Sequence, residues 1–320
     1  MTSLNRLMIF AALGLMALGT GCSIKRLAVN KLGDALVQSG TSLASDEDLE
    51  LIAGAAPFSL KLMEGLLDES PRHQGLLLAA ASGFTLYSYA FVEQRAVEVE
   101  EKDLETAAAM RVRAGRLYFR AQRYGLRGLE VKLRGFEKAL RADPKSAGRR
   151  LKVGEVPLIY WTAAAWASAI TLSKDQPEIV ADLPIVEALI DRALELDESY
   201  DSGVIHTFLV SYEMSRPGGG AEAEARSRRH FERAVELSRG QQAGPFVALA
   251  EAVALQNQNR PEFEALLQKA LKVDPASQPQ WRLGNLVMQR RAQWLLSRRD
   301  DLFVPTLPSL DEKPATPPNP

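Results

Sequence analysis

The stretch Phe136-Glu137-Lys138-Ala139-Leu140-Arg141-Ala142-Asp143-Pro144 returns in degenerate form three times along the chain. The copies are Ile190-Asp191-Arg192-Ala193-Leu194-Glu195-Leu196-Asp197, Phe231-Glu232-Arg233-Ala234-Val235-Glu236-Leu237-Ser238 and Leu267-Gln268-Lys269-Ala270-Leu271-Lys272-Val273-Asp274-Pro275. In each, a large apolar residue stands three positions before a small alanine, a spacing that sets both on one helix face. The proline closing two of the copies cannot continue a helix. Outward from these segments, almost every part of the chain repeats its apolar residues at helical spacing, and no run alternates as a half-buried strand does. The chain is predicted to be all-α.

Toward the N-terminus, Asp46 reads as the N-cap of a helix through Leu49, Leu51 and Ile52, and Pro57 as the opening of a second through Leu60, Met63 and Leu67. A third, after Pro71, would put Phe84, Tyr87 and Phe91 on one face. Asp103 to Tyr124 and Gly128 to Ala142 read as two further helices, and Gly and Pro punctuate the later gaps at Asp143-Pro144, Arg216 to Gly220, Gly244-Pro245 and Asp274-Pro275. Connections are short throughout, as in stacked helix pairs.

The four quoted segments resemble the close of the second helix in tetratricopeptide repeats, where the alanine permits tight helix crossing. Their alanines lie 54, 41 and 36 residues apart. The first-helix signature of that repeat is largely missing. Degenerate hairpin repeats in a compact solenoid are expected, with a plain helical bundle as the other reading.

The N-terminus has a different grammar. Arg6 and an apolar run from Leu7 to Leu18 precede Gly19-Thr20-Gly21-Cys22, the layout of a secretory signal peptide too short to span a bilayer. Cys22, the only cysteine of the 320 residues, resembles the lipidated cysteine of bacterial lipoproteins, although Gly19 stands where that family usually has leucine. The expected organisation is a signal peptide over 1–21, an all-α body over 22–303 and a proline-rich tail over 304–320. Ser23 after the cysteine implies the outer membrane. With one cysteine, the body must hold together without disulfides. The 39 basic and 40 acidic residues create no field that would attract nucleic acid.

Signatures of catalysis are missing. His73, His206 and His230 are scattered, no second cysteine completes a zinc site, and neither a phosphate loop nor Gly-x-Ser-x-Gly occurs. No cofactor or metal is expected. Arg226, Arg228, Arg229 and His230 alternate with Glu222, Glu224, Glu232 and Glu236, which reads as pairing along an exposed helix. The aromatic residues are the ligand candidates. Tyr160, Trp161 and Trp166 flank the small stretch Thr162 to Ala165, and large rings beside small residues can line an apolar cleft or fill a core. The same choice holds for Phe84, Tyr87 and Phe91.

Taken in order, Gly83 to Glu93, Leu117 to Leu126, Val156 to Trp166, Asp182 to Asp197 and Arg282 to Leu296 resemble the T component of tripartite ATP-independent periplasmic (TRAP) transporters. The resemblance implies a non-enzymatic, periplasm-facing lipoprotein of tetratricopeptide-like helices that forms a homotrimer. It further implies docking of the transporter's solute-binding P component and passage of a small hydrophobic or organic-acid ligand to it. The competing reading is a helical scaffold lipoprotein of envelope assembly.

Overall fold

The computed structural model describes residues 27–38 and 40–304. Cys22 with the expected signal segment, and the proline-rich tail beyond 304, lie outside the described residues. Within them the chain is all-α, with no strand. A first helix, α1 (27–38), leads through a short turn of helix to α2 (Leu49–Glu69), α3 (Gln74–Val99) and α4 (Leu104–Glu130). Then come α5 (Phe136–Ala142), α6 (Val156–Thr171), α7 (Leu183–Leu196), α8 (Val204–Ser215) and α9 (Ala223–Leu237). The body ends with α10 (Gly244–Ala254), α11 (Arg260–Lys272) and α12 (Arg282–Ser297).

Helix α4 runs against both α3 and α6, and α7 covers the far side of α6. From there neighbours follow the chain: α8 on α7, α9 and α10 on α8, α11 on α10 and α12 on α11. Ala193, Ala234 and Ala270 of the recurring segments are fully buried, so each lets a neighbouring helix come close. Helix α3 is long and apolar enough to cross a bilayer, but it is packed among α2, α4 and α6 as a core helix.

Three local expectations are corrected. Asp48 caps α2, its carboxylate accepting from the N–H groups of Glu50 and Leu51, while Asp46 accepts from the Asp48 N–H at 2.8 Å. Pro57 lies inside α2 and does not open a helix. Ile52, Leu60, Met63 and Leu67 form one buried stripe across the proline, and that packing overrides its propensity. Gly125 and Gly128 also lie inside a helix. A Cβ on Gly125 would stand 2.1 Å from Thr162 Oγ1, and one on Gly128 would stand 2.6 Å from Leu158. These glycines let α4 and α6 touch backbone to side chain.

The basic run of α9 pairs mostly across helices. Arg226 reaches the fully buried Glu213 of α8 at 2.5 Å, and Arg228 reaches Glu262 of α11 at 2.5 Å as well as Glu224 at 2.8 Å. His206 and His230, distant in sequence, meet with their Nδ1 atoms 2.8 Å apart. His206 Nε2 lies 3.2 Å from Glu198, which can only accept, so Nε2 carries the proton and His206 Nδ1 accepts from His230. Burial holds His230 down at about 4, and the neighbouring His206 adds to the effect.

Because the unfolded chain binds this proton near 6.5, stability is complete above that pH and is lost as pH falls from 6.5 toward 4. The thermal midpoint is expected to drop by about 5 °C across that window. His230→Gln should flatten this part of the profile, and an unchanged slope would show that the pair does not govern it.

Helix α12 closes the molecule. On one side Asn285 accepts from the Ala243 N–H and donates to the Gln241 carbonyl, both at 2.9 Å, and Gln289 donates to the Val273 carbonyl at 2.7 Å. On the other side it meets the start of the chain. Arg282 donates to the Ser45 carbonyl at 3.2 Å, Arg290 lies 3.5 Å from Glu98, and Arg298 pairs with Glu101.

Candidate functional site

Trp281, in the turn just before α12, and Met288 and Arg291 on α12 each face a group from a distant part of the chain. Two side-chain clusters meet there, a polar one toward the C-terminal half of α12 and an aromatic one before its N-terminus.

The C-terminal cluster is polar. Met288 Sδ receives the Tyr89 hydroxyl at 3.7 Å, and Arg291 donates to Glu251 Oε1 through Nη2 at 2.6 Å and lies over Trp294 at 4.6 Å. The Tyr118 hydroxyl of α4 donates to Glu93 Oε2 at 2.5 Å. Tyr89, Glu93 and Arg291 are half-buried. Burial pushes the Tyr89 and Tyr118 hydroxyls and the Glu93 carboxyl up. Beside Tyr89, the amide of Gln94 is buried with neither polar atom hydrogen-bonded.

Two π-helical turns build this cluster. Ser88–Glu93 interrupts α3 and supplies Tyr89 and Glu93, and Ala250–Ala254 ends α10 and supplies Glu251. Such turns shift the helical register by one residue and are frequent at functional sites.

The N-terminal cluster is aromatic. Tyr160 of α6 stands edge-on to Trp161 with centroids 5.0 Å apart and packs at 5.8 Å on Tyr200, in the turn before α8. Trp281 Nε1 donates to Asp201 Oδ1 at 3.3 Å across 80 residues of chain. Asp201 is exposed in the turn before α8. Burial pushes the Tyr200 hydroxyl up to about 12.

The residues singled out from sequence therefore separate. Tyr160 and Trp161 belong to the aromatic cluster. Trp166, 1% exposed, lies in the core beneath Arg141, and Phe84, 3% exposed, stacks on Tyr124 with centroids 6.0 Å apart. Tyr87 and Phe91 pack on each other at 5.8 Å, half-buried, with the Arg113 guanidinium over Tyr87. The π turn after Tyr87 breaks the common face expected for the three. Tyr89, Gln94, Asp201, Trp281 and Arg291 escaped sequence reasoning, since no local pattern links positions so far apart. Among the described residues, no three metal-ligating side chains converge.

A protein-family model described as TRAP transporter T-component matches residues 45–303. A protein of Treponema pallidum (strain Nichols), described as uncharacterized, is 28% identical over 306 residues, covering 89% of this chain and 94% of that relative.

Proposed function

Because the chain belongs to the TRAP transporter T-component family, we propose that it docks a periplasmic solute-binding protein and hands it a small organic ligand held under α12. The family makes the chain an accessory of a transport system of the bacterial envelope. The observation that carries the finer reading is the meeting of aromatic and polar groups of distant segments beside α12. Such a site binds by shape, apolar area and a few placed polar groups.

An association surface is also at hand. Leu51, Phe58 and Leu62 stand exposed on α2 at spacings of seven and four, an apolar stripe on one helix face. It suits the contacts that docking and a homotrimer require. A lipid on Cys22 would confine the body to a membrane facing the periplasm, with the outer membrane as the favoured site.

The expected result is capture of a solute-binding protein from a periplasmic extract and a trimeric mass in solution, with both or either reduced by Phe58→Glu. Fatty-acid labelling of the full chain, lost in Cys22→Ala, checks the tether. Capture of secretion or barrel-assembly components in place of a solute-binding protein would favour the scaffold reading.

A further inference from the structure

We propose that the connection between α4 and α6 is a basic surface that lies on an anionic phospholipid bilayer and turns this end of the body toward the membrane. The proposal deepens the tethered reading above and rests on its lipid at Cys22 for the place of the membrane.

Charge is the first argument. Residues 131–155 hold eight basic and three acidic residues, in a chain whose totals are 39 and 40. The three carboxylates are engaged. Glu137 lies 3.5 Å from Arg141, Asp143 accepts from the Ser146 N–H at 3.0 Å, and the buried Glu155 pairs with Lys132 at 3.3 Å. Arg134, Lys138, Lys145, Arg149 and Arg150 are exposed, and none of their side chains has an ion pair or hydrogen bond among the described residues. On α9, by contrast, Arg226, Arg228 and Arg233 are all paired. The basic surplus of the connection faces solvent.

Topology gathers these groups at one end of the body. Gly125 faces Thr162 and Gly128 faces Leu158, so α4 and α6 run antiparallel and the connection spans the end where one stops and the other starts. Helix α1 is tied to the same end. Asn30 accepts from the Ser70 hydroxyl at 2.7 Å, and its carbonyl lies 3.3 Å from His73 Nε2. Between those two residues, Arg72 donates to the Val131 carbonyl at 2.8 Å, and the Pro71 carbonyl accepts from Arg127 at 3.3 Å. The exposed Lys31, Arg72 and Arg127 add to the surplus there, against Asp68 and Glu69 at the close of α2.

Tether length is the second argument. Leu27 of α1 follows Cys22 by five residues, with Lys25 and Arg26 in the spacer. Five residues of chain reach at most about 18 Å. A lipid on Cys22 therefore keeps this end close to the headgroups. An anionic surface attracts each nearby lysine or arginine, and the attraction decays over about 8 Å at physiological ionic strength. The lipid holds the protein at the membrane, and the basic surface sets which way the body faces.

The test is flotation of the purified full chain carrying Cys22→Ala, which removes the lipid, with vesicles of phosphatidylcholine alone or of phosphatidylcholine and phosphatidylglycerol in equal parts. The apolar run from Leu7 to Leu18 is common to both arms, so the difference between them reads charge. Binding to the anionic vesicles is expected to be about tenfold or more tighter and to be lost in about 0.5 M salt. Arg149→Glu together with Arg150→Glu should weaken it about tenfold, leave binding to the neutral vesicles unchanged and preserve the thermal midpoint, since both side chains are exposed.

Equal binding to the two vesicles, or anionic binding indifferent to the double substitution, overturns the inference. So does loss of solute-binding-protein capture in the double variant with vesicle binding unchanged, which assigns the surface to an acidic protein partner. Fatty-acid labelling of the full chain is scored separately. Label present without charge-dependent binding removes the basic surface alone, and label absent with charge-dependent binding intact removes the tether alone.

Discussion

Gly125→Ala is expected to destabilise the protein by about 3 kcal/mol, a larger loss than most single-methyl additions cause. The new Cβ would stand 2.1 Å from Thr162 Oγ1 and 3.2 Å from the Thr162 Cα. Thr162 cannot move aside, since it is fully buried and its hydroxyl donates to the Leu158 carbonyl at 2.5 Å. Relief therefore requires α4 and α6 to separate along the tightest crossing in the core. Gly115→Ala in the same helix is the control: its Cβ would meet nothing within 4 Å, so helix propensity alone acts and stability rises by about 0.5–1 kcal/mol. Urea midpoints of the two variants should move in opposite directions. If both move together, the close crossing is not what Gly125 serves.

The second large effect separates two tryptophans that look alike in sequence. Trp166→Ala should cost about 3–5 kcal/mol, because the ring is enclosed by the core around α6 and α7 and its loss leaves a cavity. Trp161 is only half-buried and sits in the aromatic cluster with Tyr160 and Tyr200. Trp161→Ala should cost about 1 kcal/mol of stability, less than Trp166→Ala because the ring is only half-buried, and weaken ligand about tenfold if the ring lines the ligand site. Thermal melts and ligand titration on both variants decide it: a Trp161→Ala protein that unfolds, or one that binds ligand unchanged, removes the ring from the ligand site.

How much was legible follows from the range of the interactions involved. Helical period fixed the all-α class, and the stripe of Leu60, Met63 and Leu67 and the buried alanines at 193, 234 and 270 were visible because they depend on neighbours three or four residues away. Glycine misled for the same reason. Gly125 and Gly128 look like breaks to a local reading, whereas their job is set by Thr162 and Leu158 on another helix. Pro57 repeats the lesson with the opposite residue. The π turns were invisible, as one extra residue per turn leaves no mark on an apolar pattern already dense with Ala, Phe and Val.

The ligand candidates were half legible. Rings beside small residues pointed to α6, where Tyr160 packs edge-on against the half-buried Trp161. Trp281, 80 residues further on, donates to Asp201 beside Tyr200. Only the closed fold puts them together.

The closure by α12 also bears on how the molecule comes into being. Arg282 bonds to a carbonyl 237 residues earlier, so the last helix completes a surface begun by the first ones. An open stack of repeats gains order piece by piece and tolerates loss or addition of a unit at its end. A ring of helices has high contact order, and its final step must await the C-terminus. Until that end arrives, Glu98 has only Arg95 to pair with, and the contacts of Tyr89 with Met288 and of Glu101 with Arg298 are unmade. Truncation before α12 would then leave the nascent N-terminal hairpins folded but unsealed, and the two clusters beside α12 would be the last parts of the protein to exist.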